Sequence, residues 1–117
     1  MSLELSKSQK KIARELIGDS LQKECGRFIE EVKVFIPNQE QESKNPHEIY
    51  LNLYKKVKSF DKHIARRYDD LRGTTYYRIL VGLLLDEIIT SEDLNRFDEE
   101  MKNRLLNTVK LWSDDSE

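Results

Sequence analysis

Lys55, Lys58, Lys62 and Arg66 are spaced 3, 4 and 4 residues apart, which on a helix confines four cations to about 80° of the circumference. Such a ridge can track a phosphate backbone or pair with an acidic helix. The pattern equally suits a solvated helix face, and Asp61 and Asp69 dilute it. A second group, Arg72, Thr74, Thr75 and Arg78, surrounds Gly73. Free amides at a helix start, two hydroxyls and two guanidiniums would favour a phosphate or carboxylate. The glycine pattern of a P-loop is absent, and Gly-Thr-Thr also reads as a helix stop followed by a cap.

A third cluster, His63, Arg66, Arg67, Tyr68, Asp69 and Asp70, could form an Arg/His pocket for an enzyme or serve as structural glue. Helical angles put Arg67 on the side of Val57 and Ile64, so it should be partly buried and need a carboxylate. Asp86 or Glu87 after the third helix, or Asp70 nearby, are the expected partners. His63 has no nucleophile that its sequence surroundings identify, and reads as a packing or surface histidine. The two histidines, His47 and His63, lack metal-ligand spacing and Cys25 stands alone, so neither a metal nor another cofactor is expected. Cys25 lies with Leu21, Phe28 and Val32 and reads as a small core residue.

The elements that must position these groups are helical. Ile49, Leu53, Val57, Phe60, Ile64, Tyr68 and Leu71 fall within about 100° of a helix. Asn45, Pro46 and Glu48 give that second helix its cap, its first residue and a capping acid. Gly73 is expected in the left-handed position behind it, with Thr74 or Thr75 capping a third helix over roughly 75–88. That third helix carries Ile79, Leu80, Val81, Leu83, Leu84, Leu85 and Ile88 around its whole circumference, so it must be wrapped by other helices or by a second subunit. Gly82 would admit a close neighbour. Upstream, a first helix opens near Ser6 or Ser8 and runs to Ile36. Its apolar stripe rotates at Gly18, where it either bends or restarts with Asp19 as cap. The polar, aperiodic stretch 37–45 reads as an exposed loop. A fourth helix is expected to restart at Thr90 or Ser91, with Leu94, Phe97, Met101, Leu105, Val109 and Trp112 as its stripe. Residues 113–117 read as a frayed acidic tail.

These elements predict an all-α bundle of about four helices with a short apolar central third helix, in a single domain over 1–117. The 117 residues hold 36% charged and 38% hydrophobic residues, so a core has to come from narrow stripes on long helices. With 20 basic and 22 acidic residues, only a local patch could bind a polyanion. Charge is segregated: residues 55–78 hold eight basic against three acidic groups, and 86–100 hold seven acidic against one basic. A helix-turn-helix reading of the turn at 89–93 fails because Asp98, Glu99 and Glu100 would repel DNA.

Opposite patches favour self-association or a matched partner. The expectation is therefore a non-enzymatic protein-interaction or self-associating module, with a homodimer covering whatever side of the third or of the first helix is left exposed. Nucleic-acid or phosphorylated-ligand binding through Lys55 to Arg78 is the alternative, and an enzyme with an Arg/His pocket the third. The longest apolar run, 79–85, is too short to cross a bilayer, and a cytoplasmic protein without membrane attachment is expected.

Overall fold

A computed structural model describes residues 5–115, with side chains to residue 113. Four α-helices account for the all-α class: α1 (Lys7–Gln41), α2 (Pro46–Tyr68), α3 (Tyr76–Leu85) and α4 (Glu99–Asp115), with one 3-10 turn at Asp93–Arg96. No helix among the described residues is long and apolar enough to cross a membrane. Contacts divide the chain into two compact units, one of residues 1–21 and 70–117 and the other of residues 22–69. α1 runs through both.

α1 opens on a reciprocal capping box. Ser6 Oγ accepts the Gln9 N–H at 3.2 Å, and Gln9 Oε1 accepts the Ser6 N–H at 2.7 Å. The helix does not restart at Gly18; it is one element of 35 residues. It also continues through Pro37, so the expected loop over 37–45 is helical as far as Gln41. Proline inside a helix costs about 3 kcal/mol through the lost N–H and a clash one turn back. Local pattern therefore pointed to a break, and tertiary contacts overrule it. Gln39 is buried and its Oε1 accepts Asn52 Nδ2 at 2.8 Å, which anchors the turn beyond the proline.

The end of α1 is a Schellman motif, with Ser43 N–H bonded to Glu40 O at 3.0 Å and Lys44 N–H to Gln39 O at 3.3 Å. Ser43 carries the left-handed φ of 61° that this geometry demands. α3 ends in the same way: Glu87 N–H reaches Leu84 O at 3.1 Å, Ile88 N–H reaches Leu83 O at 2.9 Å, and Glu87 has φ 59°. Glycine occupies neither site. Gly73, expected to be the left-handed stop, has no positive φ, and α2 ends earlier, at Tyr68, leaving Leu71 exposed. A Cβ at Gly73 would meet only the far end of the Lys10 side chain, at 2.9 Å from Cε, which can move aside. Gly18 lies exposed in the middle of α1 and a Cβ there meets nothing within 4 Å.

The glycines and the positions that need glycine are thus mismatched. Ser43→Gly should stabilise the chain by about 1 kcal/mol through relief of the left-handed side-chain clash. Gly18→Ala should add about 1 kcal/mol by helix propensity. Chemical denaturation of each variant checks this, and a lowered midpoint for either would show that its backbone is not held as described.

In the unit of residues 1–21 and 70–117, α3 packs on α4 and α4 on the 3-10 turn. Leu80, Val81 and Leu83 of α3, Leu94, and Leu105 of α4 are fully buried, and Ala13, Leu16 and Ile17 of α1 are buried as well. Tyr77 Oη, 3.0 Å from Arg104 O and 2.7 Å from Thr108 Oγ1, ties α3 to α4. Arg96 pairs with Glu15, and Arg14 Nε donates to Tyr76 Oη at 3.3 Å. Gly82 does not serve a close approach; a Cβ there would meet nothing within 4 Å.

The fourth helix starts later than its residue pattern suggests. Asp93 Oδ2 accepts Thr90 N–H at 2.8 Å, and the chain then makes only a 3-10 turn before Phe97 extends at ψ 166°. Asp98 caps α4 by accepting Met101 N–H at 2.8 Å. Leu94 and Phe97 are buried, but from turn and extended backbone rather than from a helix face. Helix persists to Asp115, where a frayed tail was expected; residues 116 and 117 lie outside the described residues.

The unit of residues 22–69 is an antiparallel hairpin of the second half of α1 and α2. Asn45 Oδ1 accepts Glu48 N–H at 2.8 Å and Pro46 opens α2. Contacts descend α1 as they ascend α2. Gln39 meets Asn52, and Lys56 Nζ lies 5.5 Å from the Phe35 ring centroid and 3.4 Å from Glu31. Phe28 stacks on Phe60 with centroids 4.1 Å apart and planes 5° from parallel.

Candidate functional site

The hairpin holds two features of interest, a buried carboxylate at one end and an apolar groove along one flank. Glu24 follows Phe28 back along α1 by one turn, so it points at α2 although it is charged. Three α2 side chains converge on it: His63 Nε2 lies 2.8 Å from Oε1, Arg67 Nη1 2.9 Å from Oε1, and Tyr68 Oη donates to Oε2 at 2.5 Å. Side-chain exposure is 9% for Glu24 and 12% for Arg67, so the pair sits largely out of water. Burial pushes the Glu24 carboxyl up, but the hydrogen bonds from Tyr68 and His63 and the charge of Arg67 outweigh it and hold it below its ordinary value. Burial, and then the bond to Glu24, push the Tyr68 phenol well above its ordinary value. The group positions an imidazole and a guanidinium, yet each faces the carboxylate between them. Its chemistry is that of a buried ion pair with its remaining oxygen satisfied.

The groove runs between Phe28, Ile29, Val32, Lys33, Ile36 and Pro37 of α1 and Leu53 and Val57 of α2. Ile29 is 54% exposed and Val57 45%, so its two walls present large aliphatic side chains to solvent. Because Pro37 has no N–H, the carbonyl of Lys33 lacks its usual donor on the same wall. Tyr50 and Tyr54, more than half exposed, extend the apolar surface along α2. Every lining residue except Pro37 falls on a helix that the sequence marks; what the local pattern does not give is that these two helix faces lie side by side and stay open. Sequence reasoning missed Glu24 because a charged residue inside Lys23-Glu24-Cys25 reads as solvated.

The other anticipated site residues fall in different places. Lys55, Lys58, Lys62 and Arg66 are all exposed on α2, at its edge away from α1. Arg72 is bound to Asp70, with Nε 2.7 Å from Oδ1 and Nη2 3.0 Å from Oδ2. Thr75 precedes α3 but does not cap it with its side chain. Its hydroxyl donates to Asp70 O at 2.5 Å, with Arg72 O at 2.8 Å, and accepts Arg72 N–H at 3.0 Å. Thr74 and Arg78 are exposed. The carboxylate that Arg67 meets within its own unit is Glu24 of α1, a partner that sequence reasoning did not name; Asp86 is exposed at the C-cap of α3. Cys25 is half-buried. Among the described residues no group of three His, Cys, Asp or Glu side chains is placed to hold a metal ion.

No family model matches the chain, and neither a curated protein nor a solved structure matches it.

Proposed function

We propose that this chain is a non-enzymatic protein-interaction module whose hairpin of residues 22–69 receives a helix in the α1–α2 groove. The exposed apolar groove carries the reading. Contiguous apolar surface framed by polar residues marks binding sites on soluble proteins, and a groove between two helices suits the apolar face of a third. α3, expected to be wrapped by other helices or by a second subunit, is buried around most of its circumference apart from Arg78, Gly82 and Leu85, whereas the hairpin leaves large apolar side chains exposed. The lone Cys25 fits a reducing, cytoplasmic setting.

A photo-reactive phenylalanine analogue placed at Val57 should cross-link a discrete protein species in an extract of the source cells, while the same group at exposed Lys62 should not. Equal labelling from both positions, or none from Val57, would dismiss the groove as a docking site. A second reading draws on the four exposed cations Lys55, Lys58, Lys62 and Arg66, which suit an anionic strand or a phosphorylated ligand. That reading requires binding of a labelled oligonucleotide that weakens steeply with salt.

A further inference from the structure

We propose that the first two turns of α1 form a binding site for an anion carrying more than one phosphate. The site belongs to the unit of residues 1–21 and 70–117 and is separate from both the groove and the α2 ridge. An open cleft there is lined by Ser6, Lys7, Ser8, Lys10, Lys11 and Arg14. Its four cations fall within about 100° of the helix circumference and span about 10 Å of its axis. Every i,i+3 and i,i+4 pair among them sets cation against cation, an arrangement that weakens a helix. They also crowd the positive end of the helix dipole, and α1 has no acid in its first turn. Among the described residues none of the four meets a carboxylate: Glu15, one turn beyond Lys11, is held by Arg96. A merely solvated face interleaves both signs, as Glu30 and Lys33 do further along α1. A bound anion relieves the repulsion and the dipole mismatch together.

Two of the four heads are positioned by neighbouring backbone and side chains. Arg14 Nε donates to Tyr76 Oη at 3.3 Å, which leaves both Nη groups for a ligand. The Lys10 side chain lies across Gly73, so close that a Cβ there would come within 2.9 Å of Cε and 3.1 Å of Nζ. Heads already held in place lower the ordering cost of binding. Ser6 Oγ accepts the Gln9 amide, so the site is built from side chains rather than from free helix amides. Ammonium and guanidinium groups are strong donors to phosphate oxygens. A single phosphate carries about −1.5 to −2 charges, so four cations call for at least two linked phosphates.

Calorimetric titration of the full chain with inorganic tripolyphosphate should show saturable binding that weakens as salt is added. Inorganic orthophosphate should bind at least about tenfold more weakly, since it engages fewer of the cations. Lys7 and Lys11 are exposed, so the double variant Lys7→Gln, Lys11→Gln should keep the wild-type circular dichroism while losing about tenfold or more in affinity for tripolyphosphate. Removing the same charge from α2 with Lys58→Gln, Lys62→Gln should leave that affinity unchanged. Tyr76→Phe keeps the net charge but releases Arg14, and should weaken binding severalfold. Phosphatidylcholine vesicles with and without phosphatidylinositol bisphosphate identify the source of the phosphates. Sedimentation of the chain only with the phosphoinositide vesicles, competed by tripolyphosphate, assigns a lipid headgroup; tripolyphosphate binding without vesicle binding assigns a soluble ligand. The proposal is overturned if tripolyphosphate shows no saturable binding, or if the Lys7→Gln, Lys11→Gln variant binds as wild type. Equal weakening by the α1 and α2 double variants, or no effect of Tyr76→Phe, would overturn it as well, because affinity would then follow net charge and not a built site.

Discussion

Glu24→Ala should destabilise the hairpin of residues 22–69 by about 3 kcal/mol, the cost of removing one partner from a buried ion pair. The change leaves Arg67 with its charge largely out of water and takes from Tyr68 and His63 the acceptor they share. Protection of Cys25 from thiol labelling in denaturant reads the effect next to the site. Arg67→Ala should be of similar size, of order 3 kcal/mol. The double variant should cost less than the sum of the two by more than about 1 kcal/mol, because both remove the same pair. Additive effects would show that the two groups do not act together.

The same carboxylate gives a pH dependence of defined sign. Folding lowers its pKa, so Glu24 binds a proton more readily in the unfolded chain. Its stabilisation is complete above the unfolded carboxylate value, about 4.3, and is lost as pH falls through the lower folded value. Glu24→Gln should lose this part of the acid dependence while keeping much of the shape. A stability profile below pH 5 that is identical in wild type and Glu24→Gln would assign the acid sensitivity to other carboxylates.

How far the fold could be read from the residues depended on whether the deciding interaction was local. Asn45-Pro46 marked the start of α2 because a cap and a fixed φ act within one turn. The apolar circumference of α3 likewise announced a buried helix, and seven of its ten residues are buried. The ends of α1 and α3 were hidden because their left-handed residues are Ser43 and Glu87, and no glycine marked them. Pro37 misled for the opposite reason: its local cost is real, but the contact of Gln39 with Asn52 lies 13 residues away in the chain. The start of α4 was displaced because Asp93 serves the backbone of Thr90, whereas Asp98 caps the helix. For the site, the α2 contribution could be anticipated from helical angles, since Arg67 shares a side with Val57 and Ile64. Its partner Glu24 could have been found by matching spacing. Glu24, Phe28, Glu31 and Phe35 on α1 and Lys56, Phe60, His63 and Arg67 on α2 each run at intervals of 4 and 3, which places them along two facing stripes. Pairing those stripes requires knowing that the two helices lie antiparallel in that register, which is a long-range arrangement that no local pattern states.

Leu80→Ala should destabilise the unit of residues 1–21 and 70–117 by about 2–5 kcal/mol, the sum of lost apolar transfer and the cavity left behind. Leu80 sits in the middle of α3 at 0% exposure, with Ile79, Val81, Leu83 and Leu84 of the same helix also buried. Few side chains near it can swing in from solvent to fill the space, which puts the expected cost in the upper half of that range. Leu85→Ala is the matched control, since Leu85 lies on the same helix at 37% exposure and loses less contact on truncation. Trp112 in α4 belongs to this unit, so the denaturation midpoint followed by its fluorescence reports the change. Equal costs for Leu80→Ala and Leu85→Ala would mean that α3 is not buried on the side described, and that its apolar circumference still awaits cover from a second chain.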